Sequence, residues 1–292
     1  MKPTIPGPHP APHPPRRFVA PAGACDAHCH IFGPADRFPF APGRAYTPPD
    51  AGLEHFEELQ RTLGMRHAVF VQASCHGTDN RAMLDALRRG AGRYAGVAMV
   101  DDRVGDQQLQ ELHAAGVRGA RFNFVKHLGG APDMGVFRRV IERIAPLGWH
   151  AVLHLDAKDL LGMGAALQRL PVAFVIDHMA RVDASAGVDQ PAFVALLELL
   201  EDERCWVKIS GAERLTGTDG STRYRDVVPF MVALVDQAPD RVLWGTDWPH
   251  PNVRFMPDDG DLVDLLADVL GSERSRQAVL VDNPRRLYPL SG

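Results

Sequence analysis

Eight short apolar runs recur along the chain, and most of them lead directly into histidine, aspartate or arginine. They occupy residues 24–28, 68–72, 94–100, 117–122, 149–155, 172–176, 205–209 and 241–244. Each has the length of a strand, and several are rich in Val and Ile. None alternates cleanly between apolar and polar residues, as expected of strands covered on both faces. Longer amphipathic segments lie between them, at 54–63, 80–89, 107–115, 137–145, 191–200, 227–235 and 262–270. Gly64, Gly90, Gly116 and Gly148 follow four of these segments, as helix C-cap glycines do. This rhythm predicts an α/β chain folded as a single-domain (β/α)8 barrel, a TIM barrel, over residues 22–292. A doubly wound open sheet is the alternative, weakened by the lack of a GxGxxG after the first strand. Residues 1–21 are proline-rich and read as an extended, loosely held arm, with His9 and His13 as solvated tail histidines.

The chain has 292 residues, 45% of them hydrophobic, enough for one large core. A net charge of -4 argues against a nucleic-acid partner. No apolar run reaches the ~18 residues of a membrane span, and no secretory h-region is present. Cys25, Cys29, Cys75 and Cys205 include no CxxC pair, which fits a reducing, cytoplasmic setting. A homo-oligomer is left open, with the arm packing on a neighbouring chain as one form of it.

A barrel places its chemistry at the C-terminal ends of its strands. There the sequence offers His28 and His30, then Ser74 and His76, then Arg121 and His127 with Lys126. Later strands bring His154, Asp177, His178 and Arg181, then Arg214, then Asp247 and Asn252. His28 and His30 share a strand face and can converge on one point. With His154, His178 and Asp247 they make a set of imidazoles and a carboxylate that suits one divalent ion, zinc by ligand chemistry. Asp247 is also placed to deprotonate a water, or else to cap the next helix. Arg121, Arg181 and Arg214 suit a small polyanionic substrate. His55, His67, His113 and His150 lie outside strand ends and read as structural or surface residues.

The stretches DAHCHIFGP at 26–34, QASCHGTDN at 72–80, RGARFNFVK at 118–126, VIDHMAR at 175–181 and WGTDWPHPN at 244–252 carry a resemblance. The first resembles the strand-one motif of the amidohydrolase superfamily. Together they are similar to the 2-pyrone-4,6-dicarboxylate lactonase family, whose relatives include sulfomuconolactone hydrolases. The resemblance runs from about Pro21 to Tyr288. It implies a barrel that opens a small anionic lactone by hydrolysis, in the catabolism of aromatic compounds. By motif position it makes Asp247 the general base, with His28, His30 and His178 around the reacting carbonyl. It places Tyr46, Ser74, His76, Thr78, Arg121, Arg214 and Asn252 on the substrate and its carboxylates. The family pattern has an arginine where this chain has His127 and a tyrosine where it has His154. The first departure removes a carboxylate clamp. The second supplies a histidine on strand five, where metal-dependent amidohydrolases place a ligand, so that His28, His30, His154 and Asp247 form the expected metal set. The pyrone lactonase pattern itself implies catalysis without metal. Two other functions stay open: a metal-dependent decarboxylase of the same superfamily, and a small-anion binding protein with a decayed site.

Overall fold

The eight runs form eight parallel strands of one sheet, ordered as in the chain, in a computed structural model that describes residues 3–291. They are β1 (Cys25–Cys29), β2 (His67–Val71), β3 (Tyr94–Ala98), β4 (Val117–Asn123), β5 (His150–His154), β6 (Phe174–Ile176), β7 (Cys205–Lys208) and β8 (Val242–Leu243). Ala27 N donates to Trp244 O and Asp247 N to His28 O, both at 2.8 Å. These bonds join the end of β8 to β1 and curl the sheet into a barrel, which an open doubly wound sheet would not do. No helix among the described residues is long and apolar enough to cross a membrane, and all four cysteines are free and buried.

Strand alternation sorts the side chains into two cores. Val69, Val71, Val97, Val152, Val175, Trp206 and Leu243 fill the inside of the barrel. The outward residues pack against the surrounding helices, such as Phe56, Leu59 and Leu63 of α1 (Leu53–Leu63). His154, Asp177 and Lys208 each stand two residues beyond an inward Val152, Val175 or Trp206. Parity therefore turns these polar groups into the barrel at the C-terminal end.

The other helices are α2 (Arg81–Gly90), α3 (Asp106–Ala114), α4 (Met134–Ile144), α5 (Ala157–Leu167), α6 (Pro191–Leu199), α7 (Ala212–Leu215), α8 (Val228–Gln237), α9 (Asp259–Asp264), α10 (Leu266–Val269), α11 (Glu273–Gln277) and α12 (Asn283–Leu287). Helix α5 has no counterpart in the sequence reading. Gly162 and Gly164 weaken its pattern, while a capping box of Asp156 and Asp159 starts it. Gly90 is the last residue of α2 and not its cap: Ala91 takes the left-handed cap position (φ 48°). Gly90 is small for another reason, because a Cβ there would stand 2.1 Å from the Tyr94 ring. The expected helix at 262–270 is two short ones, and Asp258 starts the first by accepting from Gly260 N.

The arm is strapped to the barrel. Thr4 bridges Thr47, Phe18 is buried, and Asp264 accepts from the backbone N–H of Arg16, Arg17 and Phe18. His13 Nε2 lies 3.2 Å from Asp261 Oδ1, so His13 is a paired residue and not a solvated one. A row of prolines cannot pair its own backbone, but carboxylates on a neighbouring helix supply acceptors for the few N–H groups it has.

Candidate active site

A cleft opens at the C-terminal end of the barrel. His30, Tyr46, Ser74, Arg121, His127, His154, His178, Arg214, Asp247 and Asn252 line it. These residues come from all parts of the sequence and meet because each lies in or beyond the C-terminal end of a strand of the same closed sheet. Arg181 stands further out, on a rim with His127 and Asn252, where its Nε donates to Asp156 Oδ1 at 2.9 Å.

Asp247 is the centre of the arrangement. Its Oδ1 lies 3.1 Å from His30 Nε2, 3.5 Å from His28 Nε2 and 3.8 Å from His178 Nε2. Its Oδ2 accepts from Arg214 Nε at 2.6 Å and lies 2.5 Å from Arg214 Nη2. Burial alone would raise the Asp247 carboxyl, but the Arg214 guanidinium, with the His30 hydrogen bond, holds it well below the usual range. Asp247 does not cap a helix; it sits at φ 66°, in the left-handed region, on the turn that leaves β8.

Each imidazole has a second partner that orients it. His30 donates Nδ1–H to Val71 O at 2.8 Å. His178 Nδ1 lies 2.9 Å from Ser210 Oγ. His28 Nδ1 faces Lys208 Nζ at 3.0 Å, while its Nε2 has no hydrogen-bond partner. Burial pushes His178 down to about 4, and burial with Lys208 pushes His28 well below its ordinary value. Both rings are therefore neutral near pH 7.

Two expected substrate contacts lie elsewhere. Thr78 is exposed and lines a separate depression with Val100, Asp101 and Arg103. It follows the tight turn at Gly77 and faces away from the cleft. His76 is buried outside the cleft lining: its Nε2 accepts from Gly33 N at 3.2 Å and its ring packs on Phe40. It anchors a loop that carries the strand-one motif. The histidines expected to be structural behave so where they are buried. His150 lies 3.2 Å from the Tyr288 hydroxyl, and His67 Nδ1 lies 3.2 Å from Arg93 O.

The expected metal set of His28, His30, His154 and Asp247 is not what the fold draws closest. Among the described residues, His28, His178 and Asp247 each offer one ligand atom, all within 4.8 Å of one another. His154 Nδ1 lies 3.3 Å from Arg121 Nη2, while its Nε2 is buried without a hydrogen-bond partner. His30 touches Asp247 but stands outside that group.

The sequence reading passed over one buried charged group beside the cleft, Lys208. Lys208 is legible by parity, since a lysine two residues from an inward tryptophan on a covered strand must point inside.

The amidohydrolase family model matches residues 25–290. The 2-pyrone-4,6-dicarboxylate hydrolase of Comamonas testosteroni is 48% identical over 280 residues, 93% of this chain and 92% of that protein. The 4-sulfomuconolactone hydrolase of Hydrogenophaga intermedia is 42% identical over 278 residues, 94% of this chain and 91% of its own. A Pseudomonas putida crystal structure, provisionally assigned as a 2-pyrone-4,6-dicarboxylic acid hydrolase, superposes with a TM-score of 0.80. It is 35% identical and covers 91% of this chain and 97% of its own.

Proposed function

This chain belongs to the amidohydrolase family, and we propose that it hydrolyses a small anionic lactone of the pyrone-dicarboxylate or sulfomuconolactone kind. One observation carries the reading: an ionised, buried carboxylate faces three imidazoles at the floor of a cleft walled by Arg121 and Arg214. Arg121, Arg214, Tyr46 and Ser74 hold the anionic substituents, and His127, Arg181 and Asn252 receive what projects towards the rim. This fixes the ring in attack geometry. A water lies between Asp247 and the lactone carbonyl. Asp247 takes its proton as the hydroxide oxygen bonds to the carbonyl carbon. His28, His30 and His178 surround the carbonyl oxygen and offset its developing charge. Collapse breaks the ring carbon–oxygen bond, and the departing oxygen leaves as an enolate or alkoxide. The product is an open chain with one more carboxylate.

Arg214 has two roles in this scheme. In the free enzyme it keeps Asp247 ionised but also a weak base. A substrate anion that engages the guanidinium draws its charge away from Asp247 and restores basicity where the water waits.

A second reading is favoured by the grouping of His28, His178 and Asp247. Those three residues would hold a divalent ion such as zinc, which when bound supplies Lewis acidity and a more acidic water. It requires a lone pair on His28 Nε2.

Incubation with 2-pyrone-4,6-dicarboxylate and with 4-sulfomuconolactone, with and without chelator, tests both readings. Ring opening with uptake of one water and release of a proton is the expected result. Carbon dioxide release would make the chain a decarboxylase, and binding of both lactones without turnover would make it a binding protein. Activity that disappears with chelation and returns with zinc would establish the metal reading.

A further inference from the structure

Lys208 is fully buried at the end of β7, and none of the chemistry above uses it. An ammonium is costly to bury unless it is paired and its protons are placed. Lys208 Nζ lies 3.1 Å from Asp177 Oδ1 and 3.0 Å from His28 Nδ1. Asp177 is itself fully buried and reaches Arg121 Nε only at 3.8 Å, so the lysine is its nearest cation. A neutral amine there would leave that carboxylate without a close counter-charge.

An ammonium has three donors and no acceptor. Its contact with His28 Nδ1 therefore has one possible sense: Lys208 donates and Nδ1 accepts. Asp177 Oδ1 lies 3.3 Å from the same nitrogen, farther than the ammonium at 3.0 Å. A neutral imidazole whose Nδ1 holds a lone pair carries its proton on Nε2. His28 Nε2 is the atom that faces Asp247 Oδ1 at 3.5 Å and has no hydrogen-bond partner within the protein.

We propose that Lys208 is a positioning residue that keeps the His28 proton on Nε2, so that His28 presents a hydrogen-bond donor to the lactone carbonyl and no lone pair to a metal. The use made of that donor rests on the lactonase reading; the proton's position does not. Asp177 is the counter-ion that keeps the ammonium in place. Without the ammonium, Asp177 becomes the natural acceptor for an Nδ1–H, the proton moves to Nδ1, and Nε2 turns into a ligand beside His178 and Asp247.

The test compares the full-length wild type with Lys208→Met and Lys208→Arg, each labelled with ¹⁵N-histidine. NMR assigns the His28 tautomer, using His28→Gln to identify the signal. Equilibrium dialysis measures binding of zinc alone. The wild type and Lys208→Arg should carry the proton on Nε2. Lys208→Met should carry it on Nδ1 and bind zinc roughly tenfold tighter or more. With a lactone that is turned over, Lys208→Met should lose about 10-fold to 100-fold in kcat, with a smaller change in KM, and Lys208→Arg should recover most of it. A wild-type His28 protonated on Nδ1 overturns the proposal, even if Lys208→Met fails to fold. So does a methionine variant with an unmoved proton and unchanged zinc affinity. Neither measurement needs a substrate, so failure of every lactone assay would leave this result standing on its own.

Discussion

Asp247 combines three properties that single residues seldom share: full burial, ionisation and a left-handed backbone. His178, Met179, Ala180 and Arg181 form a second left-handed run, with φ of 49°, 51°, 54° and 56°. Such backbone costs about 1–2 kcal/mol per non-glycine residue. Here Asp247 and His178 face the cleft and Arg181 its rim, while Met179 and Ala180 are buried in the core, and strain is tolerated where the surroundings enforce it. Asp247→Asn keeps the shape and removes the base. It should cut kcat by about 10²-fold or more while circular dichroism stays that of the wild type. A variant that turns over lactone at nearly the normal rate would remove Asp247 from the role of base.

At the scale of elements, the seam between β8 and β1 matters most, because it brings Asp247 to His28 and His30. Asp26 ties the seam, accepting from Thr246 N at 3.0 Å and from Thr246 Oγ1 at 2.6 Å. Gly245 lets the strands approach. A Cβ there would stand 2.4 Å from His28 N and 2.7 Å from His28 Cβ. Backbone cannot move aside as a flexible side chain can, so Gly245→Ala must push the seam apart. The expected loss is about 3 kcal/mol in urea unfolding, together with a fall in kcat, since the base and the imidazoles separate. An alanine variant with the wild-type midpoint and turnover would show that the seam yields without consequence.

At the scale of the whole molecule, charges of alternating sign run from the outer helices to the cleft. Asp259 Oδ1 lies 2.9 Å from His250 Nε2, and His250 Nδ1 lies 3.7 Å from Glu213 Oε1. Glu213 Oε1 is 3.3 Å from Arg214 Nε, and Arg214 holds Asp247. Burial would lower His250, but Asp259 and Glu213 outweigh it and raise its pKa to about 10. The folded chain therefore keeps a proton that the unfolded chain releases above the ordinary histidine value. The stability this contributes is complete below about pH 6.5 and is lost as pH rises towards 10. Between pH 7 and 9 it should fall by about 1.4 kcal/mol per pH unit. Urea titrations of the wild type and His250→Gln across that range check this: the difference between them should shrink with rising pH. A constant difference would mean that His250 is neutral in the fold.

The order of strands, the barrel and the strand-end residues were legible because they follow from local rules. A covered strand is a short apolar run, its parity decides which side chains turn inward, and a barrel puts strand ends at one mouth. His28, His30, Arg121, His154, His178, Arg214 and Asp247 were found in that way. Tyr46 came from the family resemblance, since loop residues obey no period. Only the folded chain decided the partners. Which atom of His154 meets Arg121, whether Thr78 reaches the cleft, whether the arm is free or strapped by Asp264, and which atom of His28 meets Lys208 are matters of a few ångströms between segments far apart in the chain. Hydrogen bonds and ion pairs change sense or vanish over such distances, and one-dimensional spacing does not encode them.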